Sequence, residues 1–119
     1  QSLRPTRLAD TRTPDASSRV GRADGAGAPI EVKIAGRAGI PTDRITGASL
    51  NVTVTGATAD GYVTVYPCST IPNASNVNFD VGDTVANAVF TPLSDTGTIC
   101  VYVYGEADII VDVNGFVRI

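Results

Sequence analysis

The chain has 119 residues, 43% hydrophobic and 18% charged, with a formal net charge of −3; this is enough for one ordered domain with a buried core. It contains no histidine, methionine or tryptophan, which excludes His-based general bases, Ser–His and Cys–His nucleophiles and the usual zinc ligand. No run of about 18 apolar residues offers a membrane span, so membrane insertion is not expected. No apolar h-region opens the sequence, so any secretion signal is expected to have been removed or to lie outside it.

Strand signals dominate. No segment holds an i, i+3, i+4, i+7 apolar stripe for three turns, and Gly, Pro, Asn and Asp punctuate the chain at short intervals. Residues 6–12 (TRLADTR) read as a short first strand, and 13–28 (TPDASSRVGRADGAGA) as a polar, Gly/Ala-rich connection suited to a mobile loop or arm. Together, 1–28 form a basic N-terminal arm or loop preceding a β body over 29–119 within a single domain. Pro29–Gly36 alternates Ile30, Val32 and Ile34 with Glu31 and Lys33, a half-exposed strand.

Ala48–Thr55 is the cleanest strand, with Leu50, Val52 and Val54 on one side and Ser49, Asn51, Thr53 and Thr55 on the other. Gly56–Gly61 reads as the turn of a hairpin into Gly61–Cys68 (GYVTVYPC), which ends at Pro67 because proline lacks the ladder donor. Ser75–Asp80 and Thr84–Leu93 follow; in the latter, Ala86, Ala88 and Phe90 alternate with Val85 and Val89, predicting two covered faces. Thr98–Gly105 (TICVYVYG) and Asp108–Ile119 complete the series. About seven to nine short strands at this spacing predict an all-β antiparallel sandwich of jelly-roll or immunoglobulin-like type.

Gly61–Cys68 and Thr98–Gly105 hold all four tyrosines and both cysteines. Strand parity places Tyr62, Tyr66 and Cys68 on one face of the first segment, and Cys100, Tyr102 and Tyr104 on one face of the second. A disulfide between Cys68 and Cys100 would tie these faces together and imply an oxidising compartment, hence an extracellular or cell-surface location; two buried reduced thiols are the alternative. Tyr62, Tyr66, Tyr102 and Tyr104 either form a flat amphipathic platform for a ligand such as a sugar ring, or pack in the core or under residues 13–28 with their hydroxyls bonded to backbone.

Charge is uneven. Residues 1–44 carry a net of +3 and residues 45–119 a net of −6. The arginines are interspersed with acids and lack interleaved aromatics, so nucleic acid is not an expected partner. A basic first segment lying on an acidic β body, within one chain or between copies, fits the pattern better. In the second case the arm would add a strand to a neighbour's edge and generate a filament.

Among the carboxylates, Asp80 and Asp83 flank a turn, and Asp108, Asp112 and Asn114 share a strand face. DVNG (112–115) lacks the spacing and distal Glu of a calcium loop, so no metal or cofactor is expected. Nothing sets two carboxylates across a cleft for glycoside hydrolysis. Ser69, Thr70 and the Ser17-Ser18 pair lack a base, so no catalytic residue is assigned. Asn51-Val-Thr and Asn73-Ala-Ser match the glycosylation sequon, which matters only in a host that uses it.

The ordered motifs RLADTR (7–12), LNVTVT (50–55), GYVTVYPC (61–68), SNVNF (75–79), VANAVF (85–90), ICVYVY (99–104) and VDVNGF (111–116) resemble a family of secreted actinobacterial-type β modules, whose members read RLLDTR…LNVTVT…GFLTVYPCG…SNLNF…VANLV…VCVYS…VDVNGYF. The resemblance spans nearly the whole chain. It implies an accessory domain of an extracellular protein, and matches Cys68 and Cys100 to the family's paired cysteines and Tyr66 and Tyr102 to its aromatic positions. The chain departs from the pattern in its longer 13–28 connection. The expected function is a non-catalytic attachment module on the bacterial surface, binding extracellular polysaccharide or another cell-envelope component. The alternative is a self-assembling structural subunit whose partners are copies of itself.

Overall fold

The computed structural model describes residues 1–12 and 20–119. Six strands are present among them: β1 (Ser2–Asp10), β2 (Ile30–Lys33), β3 (Ile45–Tyr66), β4 (Val77–Phe79), β5 (Val85–Pro92) and β6 (Thr98–Arg118). The fold is all-β and antiparallel, with strand order β1-β6-β3-β4, β2 also on β6 and β5 also on β3. The two long central strands, β3 and β6, are partners from Ile45↔Arg118 to Tyr66↔Cys100.

Two pairs of expected strands therefore merge, and the predicted hairpin at Gly56–Gly61 is not one. The chain continues as one strand there, irregular at Gly56 (φ 63°), and keeps its pairing with β6 through register shifts. From Thr55↔Asp108 to Tyr62↔Tyr104, seven steps along β3 accompany four along β6. The surplus of three is odd, and this has a consequence for packing. From Ile99 to Val113 the β6 members of the main core keep one parity: Ile99, Val101, Val103, Ala107, Ile109, Val111 and Val113. On β3 they change parity, from Leu50, Val52 and Val54 to Val63 and Val65. An even surplus would have turned one half of β3 inside out. As built, both halves present the same sheet face to one buried cluster, joined by Val32, Val77, Phe79, Val89 and Phe116.

Each central strand has one remaining edge. Along β6 the first third of the chain covers that edge in order: β1 on residues 110–115, Thr11 on Ile109, Val20 on Ala107, Arg22 on Tyr104, and β2 on residues 98–101. The described parts of the expected arm are thus one strand of the sheet and a strap tied to its own β6. Residues 13–19, including Ser17-Ser18, lie outside the described residues. Arg7 donates from Nε to Asp112 at 3.0 Å, joining the basic segment to the acidic body within one chain. The pair is exposed, so it aids register more than stability. The edge of β3 takes β5 on residues 47–54 and β4 on 61–63.

β5 corrects a second expectation. Val89 is buried and Val85 half-buried, but Ala86 and Ala88 are exposed and Phe90 is 63% exposed. The strand lies at the sheet border, paired among the described residues with β3 alone, and its outer face is exposed, so alternating small residues there do not mean burial.

The crossing of β3 and β6 at the register shift leaves no room at Gly61. A Cβ there would overlap the Tyr104 carbonyl, a backbone group that cannot swing aside. Gly61→Ala is expected to destabilise the domain by about 3 kcal/mol, the upper range for overpacking, read as a lowered midpoint in urea denaturation.

Candidate functional site

The second half of β3 and the first half of β6 turn their even-numbered residues away from the main core. In register, Tyr62 faces Tyr104, Thr64 faces Tyr102 and Tyr66 faces Cys100. The parity expected for Tyr62, Tyr66, Cys100, Tyr102 and Tyr104 is therefore present, while Cys68 lies beyond the end of β3. Pro67 ends the strand, and the Cys68 N–H donates back to the Tyr66 carbonyl at 2.9 Å in a three-residue turn. That turn brings Cys68 to a Cα–Cα distance of 4.8 Å from Cys100, and the two form a disulfide.

Tyr66, Cys100 and Tyr102 form a small second buried cluster, with Tyr62 and Cys68 packed against it. A strap crosses it from one side. The Tyr102 hydroxyl donates to the Gly25 carbonyl at 2.6 Å. A Cβ at position 25 would sit 2.7 Å from two Tyr104 ring carbons, so the strap passes only as glycine. From the other side the loop before β4 is held by Thr64, whose hydroxyl donates to the Ala74 carbonyl at 2.5 Å, and by Asn76, which accepts from the Val65 N–H at 2.7 Å. Of the 13–28 connection, Gly25 covers the face at Tyr102 and takes its hydroxyl on a backbone carbonyl.

Two rings remain accessible. Tyr104 is 38% exposed and Tyr62 half-buried. They stack in parallel, with centroids 5.4 Å apart and planes within 2°, while Tyr62 meets Tyr102 at 6.3 Å and a 58° tilt. Beside them lies a shallow pocket of about 270 Å³ lined by Tyr62, Asn73, Ala74 and Ser75. An aromatic ring beside an amide and a hydroxyl gives an apolar surface with directional hydrogen-bonding groups at its rim. Of these residues, sequence reading singled out Tyr62 for its parity and Asn73 only as part of a sequon. Nothing in the local pattern tells that the 69–75 loop returns to Tyr62; the Thr64 and Asn76 hydrogen bonds do that.

Burial pushes the Tyr66 hydroxyl above its ordinary titration range. It does the same at Tyr102, reinforced by Tyr62, Tyr104 and Asp24. Both are therefore neutral phenols at physiological pH, unsuited as bases. The carboxylates act as acceptors within the fold: Asp60 for the Val81 N–H, Asp83 for the Asp80 N–H, Glu106 for Thr58 and Asp108 for Thr11. Asp10 is held below the usual carboxylate range by hydrogen bonds from the Arg12 side chain and backbone. Glu31, Cys68 and Cys100 bring a carboxylate and two sulfurs within 4.8 Å of one another, but the sulfurs are bonded to each other and offer no thiolate to a metal. Among the described residues no helix is long and apolar enough to cross a membrane.

No protein-family model matches this chain, and neither a curated protein nor a solved structure matches it.

Two outcomes follow from this geometry. Replacing both cysteines by serine is expected to cost about 3–4 kcal/mol on the chain-entropy scale, measured by denaturant unfolding of the double variant beside the oxidised protein. Because the folded-state values of Tyr66 and Tyr102 are raised, the stability they contribute is complete below the unfolded value near 10 and is lost as pH rises through the folded values. An ultraviolet titration of tyrosinate should show a late-titrating class that Tyr102→Phe diminishes, with the melting temperature falling over the same alkaline window.

Proposed function

We propose that this chain is a non-catalytic secreted or cell-surface attachment module that binds extracellular or cell-envelope carbohydrate at the Tyr62 rim. The observation that carries the reading is the stacked, accessible Tyr62–Tyr104 pair beside the pocket formed with Asn73 and Ser75. A sugar ring has apolar C–H faces and equatorial hydroxyls, and the site supplies the matching groups: an aromatic surface already stiffened by stacking, an amide, and a hydroxyl. Tyr66 and Tyr102, the buried members of the expected platform, act as its support. The module's strands form a β-sandwich; the main buried cluster, to which both halves of the sheet contribute, supports that architecture. The disulfide is compatible with an extracellular setting, and the motif order resembling secreted actinobacterial β modules points the same way.

The experiment is a titration of the oxidised protein with soluble cell-wall polysaccharide fragments, followed by tyrosine fluorescence and calorimetry. Saturable binding is expected, with at least a tenfold loss in Tyr62→Ala, a smaller loss in Asn73→Ala, and no loss in a distant surface variant such as Asp95→Ala. Binding that persists unchanged in Tyr62→Ala, or no binding to any fragment of the panel, contradicts the proposal.

A further inference from the structure

The edges of the sheet are not alike. β1 carries Arg4, Pro5, Arg7 and Asp10 and has two register shifts; β2 is four residues long with Glu31 and Lys33 exposed; β4 has three residues. Charge, proline, irregularity and brevity are the devices that stop an edge from recruiting another strand. β5 has none of them along Val85–Thr91. It pairs with β3 at eight consecutive positions without a shift, carries no charge, and exposes Ala86, Ala88 and Phe90.

Which β5 groups point outward follows from the ladder. The Leu93 N–H donates to the Thr46 carbonyl directly opposite, so in the alternating antiparallel pattern Thr91, Val89, Asn87 and Val85 bond to β3. Pro92, Phe90, Ala88 and Ala86 then turn their backbone groups to the free edge. Proline at 92, with no N–H to give β3, fits that phase. Three donors, on Ala86, Ala88 and Phe90, thus lie in a row, and among the described residues no backbone hydrogen bond uses them.

From this we infer that β5 is a self-pairing edge: two copies of this chain join antiparallel, β5 against β5, with the two-fold axis at Ala88. That register sets Ala88 against Ala88 and Phe90 against Ala86 of the other copy, so all three donors meet acceptors. Phe90, whose ring tip lies over Gly47 of its own β3, meets only a small side chain across the new ladder. A shift of one pair toward Pro92 would replace one donor by proline. The absence of charge matters specifically for self-pairing, because across a two-fold axis a charged residue near the centre meets its own like charge; β5 avoids this, whereas β1 and β2 do not. The contact is isologous, so it closes as a dimer and does not propagate. It is independent of the Tyr62 site, which lies at the other half of β3.

The test is sedimentation velocity on the 119-residue chain over a wide concentration range, with Ala88→Lys and Ala88→Glu as variants. The exposed position on an edge strand tolerates both, and circular dichroism verifies the fold. The wild type is expected to move reversibly from the 12.3 kDa monomer to twice that mass. Each variant alone should lose the dimer, and their equimolar mixture should regain it. Ala88→Cys should cross-link to itself under mild oxidation, since hydrogen-bonded antiparallel partners sit about 5.5 Å apart, within disulfide reach; Ala86→Cys should not. A wild type that stays monomeric at every concentration, or a dimer unchanged in Ala88→Lys, overturns the inference.

Discussion

The β3–β6 ladder is the constraint on which the rest depends. Both strands run through two pairing environments, and every other strand is an edge added to one of them. The three surplus residues of β3 between Thr55 and Tyr62 decide what faces where. They keep Leu50, Val52 and Val54 on the same sheet face as Val63 and Val65, and by the same step they send Tyr62, Thr64 and Tyr66 outward. The absence of a side chain at Gly61, where the Tyr104 carbonyl comes closest, makes that crossing sterically possible.

The outward faces of the two halves then have different fates. In one half, three aromatic residues, a disulfide, a glycine strap and a polar loop build a second apolar layer, leaving the Tyr62–Tyr104 edge accessible. In the other, half-buried Ser49, Asn51 and Thr53 lie beside exposed Ala86, Ala88 and Phe90. The asymmetry separates two surfaces of different chemistry. An aromatic and amide rim suits a small polar ligand, and an uncharged regular edge suits another strand.

Much of this was legible in the residues because a period of two is unambiguous when it is carried by Val, Ile and Tyr. Leu50-Val52-Val54, Ile109-Val111-Val113, Tyr62 with Tyr66, and Cys100 with Tyr102 share faces as read, whereas Cys68 reaches Cys100 through a turn beyond the end of β3. Continuity through 55–62 was hidden, because Gly56, Asp60 and Gly61 are the residues of a turn as well as of an irregular strand crossing; only the partner strand distinguishes them. The exposure of Ala86, Ala88 and Phe90 was hidden for a related reason: alternation tells which residues share a face, not whether anything covers it. Gly25 over Tyr104 leaves no local signal at all, since a glycine chosen for close approach looks like a glycine chosen for freedom. The pocket beside Tyr62 depends on a loop whose return is set by two hydrogen bonds, from Thr64 and to Asn76, that have no period.

Native-state hydrogen exchange, resolved residue by residue, tests the ladder most directly. If β3 and β6 are continuous strands sharing one core, their ladder amides on both sides of the register shift will exchange last, in one class, through global unfolding with a common free energy. Two separate classes, with the β6 amides of 98–106 opening while those of 108–118 stay protected, or the reverse, would contradict the account.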